Sequence, residues 1–168
     1  MKHSQPFVPF IKTLARLPLL TVLLYAAAFA QTADEKAVRE VVVKNAEAFE
    51  KGDLALMDKI WADDEKVTVI EAGNFDYGWR NFRDKHLAPE LKAMQNRKFT
   101  ASDIRVNVNG KLAWATFAYH IEADFSGRHI NADGAGAMAI EKIKNEWRIV
   151  MYSTSGKRLA PAPAQPNP

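Results

Sequence analysis

Cysteine is absent from the 168 residues. No disulfide, thiolate nucleophile, cysteine metal site or lipoprotein attachment residue is therefore available, and the fold must stand on its core. The sequence also lacks Ser-x-x-Lys, Gly-x-Ser-x-Gly, His-Glu-x-x-His and any phosphate-cradling glycine loop, so nucleophilic catalysis has no support. Beyond residue 30 only His86, His120 and His129 remain, none with a partner histidine at ligand spacing. No metal or other cofactor is expected. There is no internal repeat and no long hydrophobic run: Leu17 to Ala28 is about a dozen residues, short of the roughly 20 that span a membrane. Nor does one sign of charge prevail. Of 23 Lys and Arg, three (Lys2, Lys12, Arg16) lie in the first 30 residues, which hold no acid, leaving 20 bases against 20 acids. That balance excludes a nucleic-acid footprint and a polybasic membrane patch.

The basic start, the short apolar run and the small residues of Ala28-Phe29-Ala30 predict a secretory signal peptide over residues 1–30, cleaved after Ala30. An uncleaved N-terminal anchor is the alternative. The mature chain would be periplasmic or secreted, with one domain over residues 31–158. From Leu159 to Pro168 the tail alternates Pro and Ala, cannot form a core and is expected to be disordered.

Thr32-Ala-Asp-Glu35 has the form of a capping box, and Val38, Val41, Val42, Asn45 and Phe49 follow at helical spacing, predicting a first helix to Lys51. Gly52 ends it and Asp53 caps a second, with Leu54, Met57, Ile60 and Trp61 on one side. Trp61 is expected in the core. Asp63-Asp64-Glu65 reads as a solvated loop, Val67 to Glu71 as a strand, Gly73-Asn74 as a turn and Phe75 to Trp79 as a paired strand. A third helix from Asn81 contains Pro89, which removes a backbone hydrogen bond and predicts a kink or break.

A long hairpin runs from Phe99 to Phe125 with Asn109-Gly110 at its tip, the pair that best tolerates two positive φ values. Alternation puts Ala113, Ala115, Phe117, Tyr119 and Ile121 toward the helices, and Trp114, Thr116, His120 and Glu122 away from them. A strand from His129 to Lys144 follows, with Gly134 and Gly136 expected as bulges, then a turn at Asn145-Glu146 and a last strand, Trp147 to Ser155. The order α-α-β-β-α-β-β-β-β predicts an α+β domain: a cone-shaped, strongly curved antiparallel sheet with three helices from the N-terminal half covering its concave face around a cavity.

Phe49-Glu-Lys-Gly-Asp53, Asp76-Tyr-Gly-Trp79 leading into Asn81-Phe-Arg-Asp-Lys-His-Leu87, Ala113-Trp-Ala-Thr-Phe117 and Glu146-Trp-Arg-Ile-Val150 occur in this order. In these features the chain, over about residues 34 to 158, resembles the nuclear-transport-factor-2-like superfamily: its SnoaL-like branch and the relatives of the calcium/calmodulin-dependent kinase II association domain. The resemblance implies a cystatin-like cone. It leaves the activity open, because the fold hosts isomerases, dehydratases, cyclases and inert binding modules. Two histidines that those relatives carry at alternate positions of the last strand are replaced here by Met151 and Ser153, and the Tyr/Asp/Asp set of ketosteroid isomerases has no match.

His86 lies between Phe82 and Glu90 at helical spacing, on the helix expected to roof the cavity, where a carboxylate could orient its ring. Tyr77 and Trp79 are candidate donors to a carbonyl ligand, with Met151 and Ser153 on the opposite wall. Asp76 and Asp133 are the carboxylates nearest strand ends. His120 and Glu122 share the outer face, where Trp114 suggests a homodimer interface through the sheet. Two functions stay open: an exported, noncatalytic module binding a small apolar or carbonyl-containing molecule, or a cofactor-free isomerase, dehydratase or cyclase with His86 as proton carrier. Because the acid–base set is incomplete, binding is the first reading.

Overall fold

The computed structural model describes residues 17–159, with side chains from residue 33 onward. Residues 1–16 of the expected signal peptide, and the tail beyond Leu159, lie outside the described residues. Residues 1–33 and 34–168 form two separate units, and the account below concerns the second.

Helix α1 (Leu17–Lys51) begins upstream of Thr32, so the expected capping box does not start it. Asp34 serves the sheet instead, accepting from Lys142 Nζ at 2.7 Å and from Trp147 Nε1 at 3.1 Å. Val38, Val41, Val42 and Asn45 are buried at the expected spacing. Gly52, at φ 69°, stops the helix in the left-handed region that glycine tolerates. Asp53 caps α2 (Leu54–Ile60), accepting from the Leu56 amide at 2.9 Å.

Next come β1 (Thr68–Glu71) and β2 (Asn74–Tyr77), then a helical stretch in three pieces. These are α3 (Trp79–Phe82), one π-helical turn (Arg83–Leu87) and α4 (Ala88–Ala93). The break expected from Pro89 is that π turn, which widens the helix just ahead of the missing N–H. Helix α3 starts at Trp79 after Gly78, not at Asn81.

Four strands complete the domain: β3 (Met94–Asn109), β4 (Leu112–Phe125), β5 (Arg128–Ile143) and β6 (Glu146–Arg158). The sheet order is β2-β1-β6-β5-β4-β3. Every neighbouring pair is antiparallel except β1 and β6, so the sheet is mixed rather than wholly antiparallel. No tight turn joins β1 to β6, and the long excursion between them lets the two run the same way. The α+β class and the curved sheet stand as expected, and the sheet is unclosed.

The turns show where local chemistry was read one residue off. The β3–β4 loop is Gly110-Lys111, with positive φ at Gly110 alone, a II′-type pattern; Asn109 pairs with Leu112 inside the ladder. Lys144 and Asn145 form the β5–β6 loop, both at positive φ. Strand β3 is bent by register shifts at Asn96 and Asp103, each in the left-handed region.

Gly134 and Gly136 are not bulges. They sit in an unbroken β4–β5 ladder opposite Tyr119 and Phe117. A Cβ on Gly136 would lie 2.2 Å from Phe117 Cζ, and one on Gly134 would lie 2.3 Å from Tyr119 Cζ. The missing side chains are what let two rings lie flat on the concave face.

Arg97, beside the first bulge of β3, reaches two helix ends. Its Nε donates to the carbonyls of Phe49 and Glu50 at 3.2 and 3.3 Å, and its Nη1 to Leu91 at 2.6 Å and to Met94. Carbonyls at the ends of α1 and α4 thus find a cation. The core joins the apolar stripes of α1 and α2 to Ala113, Ala115, Met138, Ile140 and Ile149 of the sheet.

Candidate functional site

A cavity of about 830 Å³ lies between the concave face of the sheet and the helices. Strand register arranges the sheet face beneath it in rows. The first row crosses four strands as Phe117, Gly136, Thr154 and Glu71. The second is Tyr119, Gly134 and Gly156; the third is Ile121, Ala132 and Arg158. The π turn carries His86 over the first row, and α4 adds Glu90.

Glu71, His86 and Glu90 each present a ligand-capable atom, all within 4.8 Å of one another. Asp76 Oδ2 lies 2.7 Å from His86 Nδ1, which fixes the ring and leaves Nε2 as its other polar atom. The His86 ring also meets the edge of Phe82, their centroids 5.3 Å apart. Thr154 donates its hydroxyl to Glu71 Oε1 at 3.3 Å.

Burial pushes the Glu71 carboxyl up to about 7, and the neighbouring charge of Glu90 adds to it. Burial raises Glu90 as well. For His86, burial works against the charged ring, but the Asp76 hydrogen bond and the Glu71 charge outweigh it and the pKa rises. Tyr119 and Tyr152 are both raised, chiefly by burial, so their phenols stay protonated as donors. The set offers a cation three donor atoms, one each from Glu71, His86 and Glu90. It also offers shared protons, which suit two carboxyls with raised pKa values.

His86 and Ser153 border the cavity; Tyr77, Trp79 and Met151 do not. Tyr77 is 61% exposed, on the edge strand β2. Trp79 is 2% exposed, stacked on Trp61 at 4.7 Å, with Nε1 donating to Asp58 at 2.9 Å. Its ring is in the core and its polar tip is satisfied by the exposed Asp58. Met151 misses the cavity because Val150 is an extra residue in β6: Ile149 pairs with Ile140 but Met151 with Ala139. Alternation changes phase there, so Tyr152 and Thr154 face inward. Ser153 also borders a shallower groove of about 480 Å³ with Thr116 and Ala118 of the outer face. Asp133 is on that outer face too, 2.8 Å from His120 Nδ1.

Sequence reasoning missed Glu71 and Tyr119 as site residues. For Glu71 a signal existed, a lone carboxylate closing the apolar run Val67-Thr-Val-Ile. The profile of the SnoaL-like domain matches residues 38–158, nearly the whole described domain. The chain belongs to the SnoaL-like family. Its SnoaL-like fold recurs in a nuclear transport factor 2-like superfamily protein from Salmonella enterica, with TM-score 0.69 and 19% identity over 74% of this chain and 92% of that one. A putative dehydratase of that family from Streptomyces avermitilis gives TM-score 0.67 and 18% identity over 77% and 99%. A putative ketosteroid isomerase from Shewanella frigidimarina gives 0.59 and 19% over 69% and 92%. At these identities the likeness is one of fold. No curated protein matches this SnoaL-like chain by sequence.

Proposed function

We propose that this SnoaL-like domain binds a small apolar carbonyl compound and moves a proton on it without a cofactor. The observation that carries this is the Glu71 carboxyl, half-buried in the cavity within 4.8 Å of His86 and Glu90 and held at about 7. A group with that pKa is divided between base and acid at neutral pH, as general acid–base chemistry needs. Glu71 would take a proton from the carbon next to the carbonyl. The protonated Tyr152 or Tyr119 would donate to the developing enolate oxygen; where the carbonyl compound carries a β,γ double bond, return of the proton to the γ carbon brings that bond into conjugation and completes an isomerisation. His86, held by Asp76, would exchange the proton with Glu71. The noncatalytic reading rests on an incomplete acid–base set, and the approach of Glu71, His86 and Glu90 to within 4.8 Å of one another supports the catalytic one.

The test is deuterium uptake into 2-decanone in D₂O, read by mass spectrometry. Uptake above the buffer rate, lost in Glu71→Gln, supports proton transfer. Binding without uptake returns the domain to a noncatalytic module, and native mass spectrometry for a co-purified molecule then becomes the direct route to its ligand.

We further propose export, with a mature N-terminus at Gln31, and a homodimer through the outer sheet face. No described helix is long and apolar enough to cross a membrane. N-terminal sequencing of the periplasmic or medium fraction tests the export; Met1 retained in a membrane fraction speaks against it.

A further inference from the structure

The cavity is charged at both ends and with opposite signs. At one end stand Glu71 and Glu90, with Asp76 behind His86. At the other stands Arg158, opposite Ala132 in the third row. Its backbone is held in the sheet to the last described residue, since the Leu159 amide donates to the Asn131 carbonyl at 2.8 Å. Among the described residues no carboxylate comes within ion-pair distance of Arg158.

Register gives the spacing. Glu71 pairs with Thr154, and Arg158 lies four residues further along the same strand. At about 3.3 Å per residue the two ends are roughly 13 Å apart. Between them the second row is almost bare of side chains. Tyr119 lies over Gly134, and a Cβ on Gly156 would fall 2.4 Å from the Tyr119 hydroxyl. The middle of the floor is thus a flat phenol ring, flanked on the same face by Ile121, Ile130 and Ala132.

We propose that the ligand is an elongated, apolar carbonyl compound ending in a carboxylate, which Arg158 receives while the carbonyl reaches Glu71 and His86. This rests on the proton-transfer reading for which end reacts, but the ligand class is fixed by the cavity's own charges. A guanidinium matches a carboxylate with paired N–H donors. The carboxylates at the far end repel the same group, so the ligand has one favoured direction. Tyr119 on its glycine bed and Phe99, stacked with it at 5.2 Å, offer the apolar middle an aromatic wall to lie against.

The probes are 9-oxodecanoic acid and its methyl ester, which share the chain and the ketone and differ only in the end charge. Calorimetric titration at neutral pH is expected to show the acid binding at least tenfold more tightly. In Arg158→Gln that preference should disappear, and in Arg158→Lys it should largely return, with melting temperatures confirming that both variants fold. Equal affinities for acid and ester, no binding of either, or a preference surviving Arg158→Gln each overturn the proposal. Deuterium uptake measured on the same two probes keeps the two readings apart. Acid preference without uptake sinks the proton-transfer function and leaves the ligand class standing; uptake without acid preference does the reverse.

Discussion

Asp76 on the edge strand β2 and His86 in the π turn meet at 2.7 Å, and through that contact the sheet's outermost hairpin orients a ring over its concave face. The partner expected from helical spacing was Glu90, four residues on; Asp76 arrives from a neighbouring element. Asp76→Asn keeps the shape and removes the charge. The His86 pKa, raised in the native domain, should fall toward its ordinary value. A histidine-resolved NMR titration reads this, and an unmoved His86 would mean the pair does not form in solution.

Stability should fall as pH rises. Glu71 goes from an ordinary 4.5 to about 7 on folding, so its stabilising share is complete below pH 4.5 and is lost as pH passes 7. His86, also raised, loses its share over a window that starts near 6.5. The Glu71 shift corresponds to at most about 3 kcal/mol. Urea midpoints between pH 4.5 and 8 check the slope, and Glu71→Gln should flatten it. A native domain whose stability is level across this range would contradict the burial of Glu71.

Gly136→Ala should destabilise the domain by about 1–3 kcal/mol, the usual cost of overpacking, because the new methyl meets the Phe117 ring. Gly127→Ala makes a useful contrast: nothing lies within 4 Å there, and only its positive φ of 75° resists. Pairing Gly136→Ala with Phe117→Leu should show a coupling, measurable by urea unfolding of the double-mutant cycle.

The outer sheet face leaves Trp114 51% exposed, while the helices already cover the other side. If two copies meet there, Trp114→Asp should shift the protein from dimer to monomer in light scattering at micromolar concentration. A native monomer whose size and stability are unchanged by the substitution rules the interface out.

The order of elements was legible because it depends on local periodicity. Ala113, Ala115 and Phe117 could be assigned to the helix side by alternation alone, and the burial agrees. What the sequence hid was phase and convergence. Val150 reverses which of Met151 and Tyr152 faces inward, and a bulge in an apolar strand leaves no compositional mark. The two glycines of β5 carried a signal that admits two physical meanings, a bulge or a bed for a ring; the partner across the ladder decides between them. Glu71, Asp76, His86 and Glu90 lie on four elements, and no spacing rule joins a β1 terminus to a π turn.

The Arg97 guanidinium has a consequence in time. Its carbonyl partners at Phe49 and Glu50 are far away in the chain, so the arginine can reach them only after β3 has settled against α1. Helix α1 cannot use this cap while it forms, whereas the end of α4 finds it within six residues. The contact is therefore made late on the way to the native state and should be among the first lost on leaving it. It would then act mainly on the rate of unfolding, as a latch that slows opening and leaves the speed of folding nearly untouched.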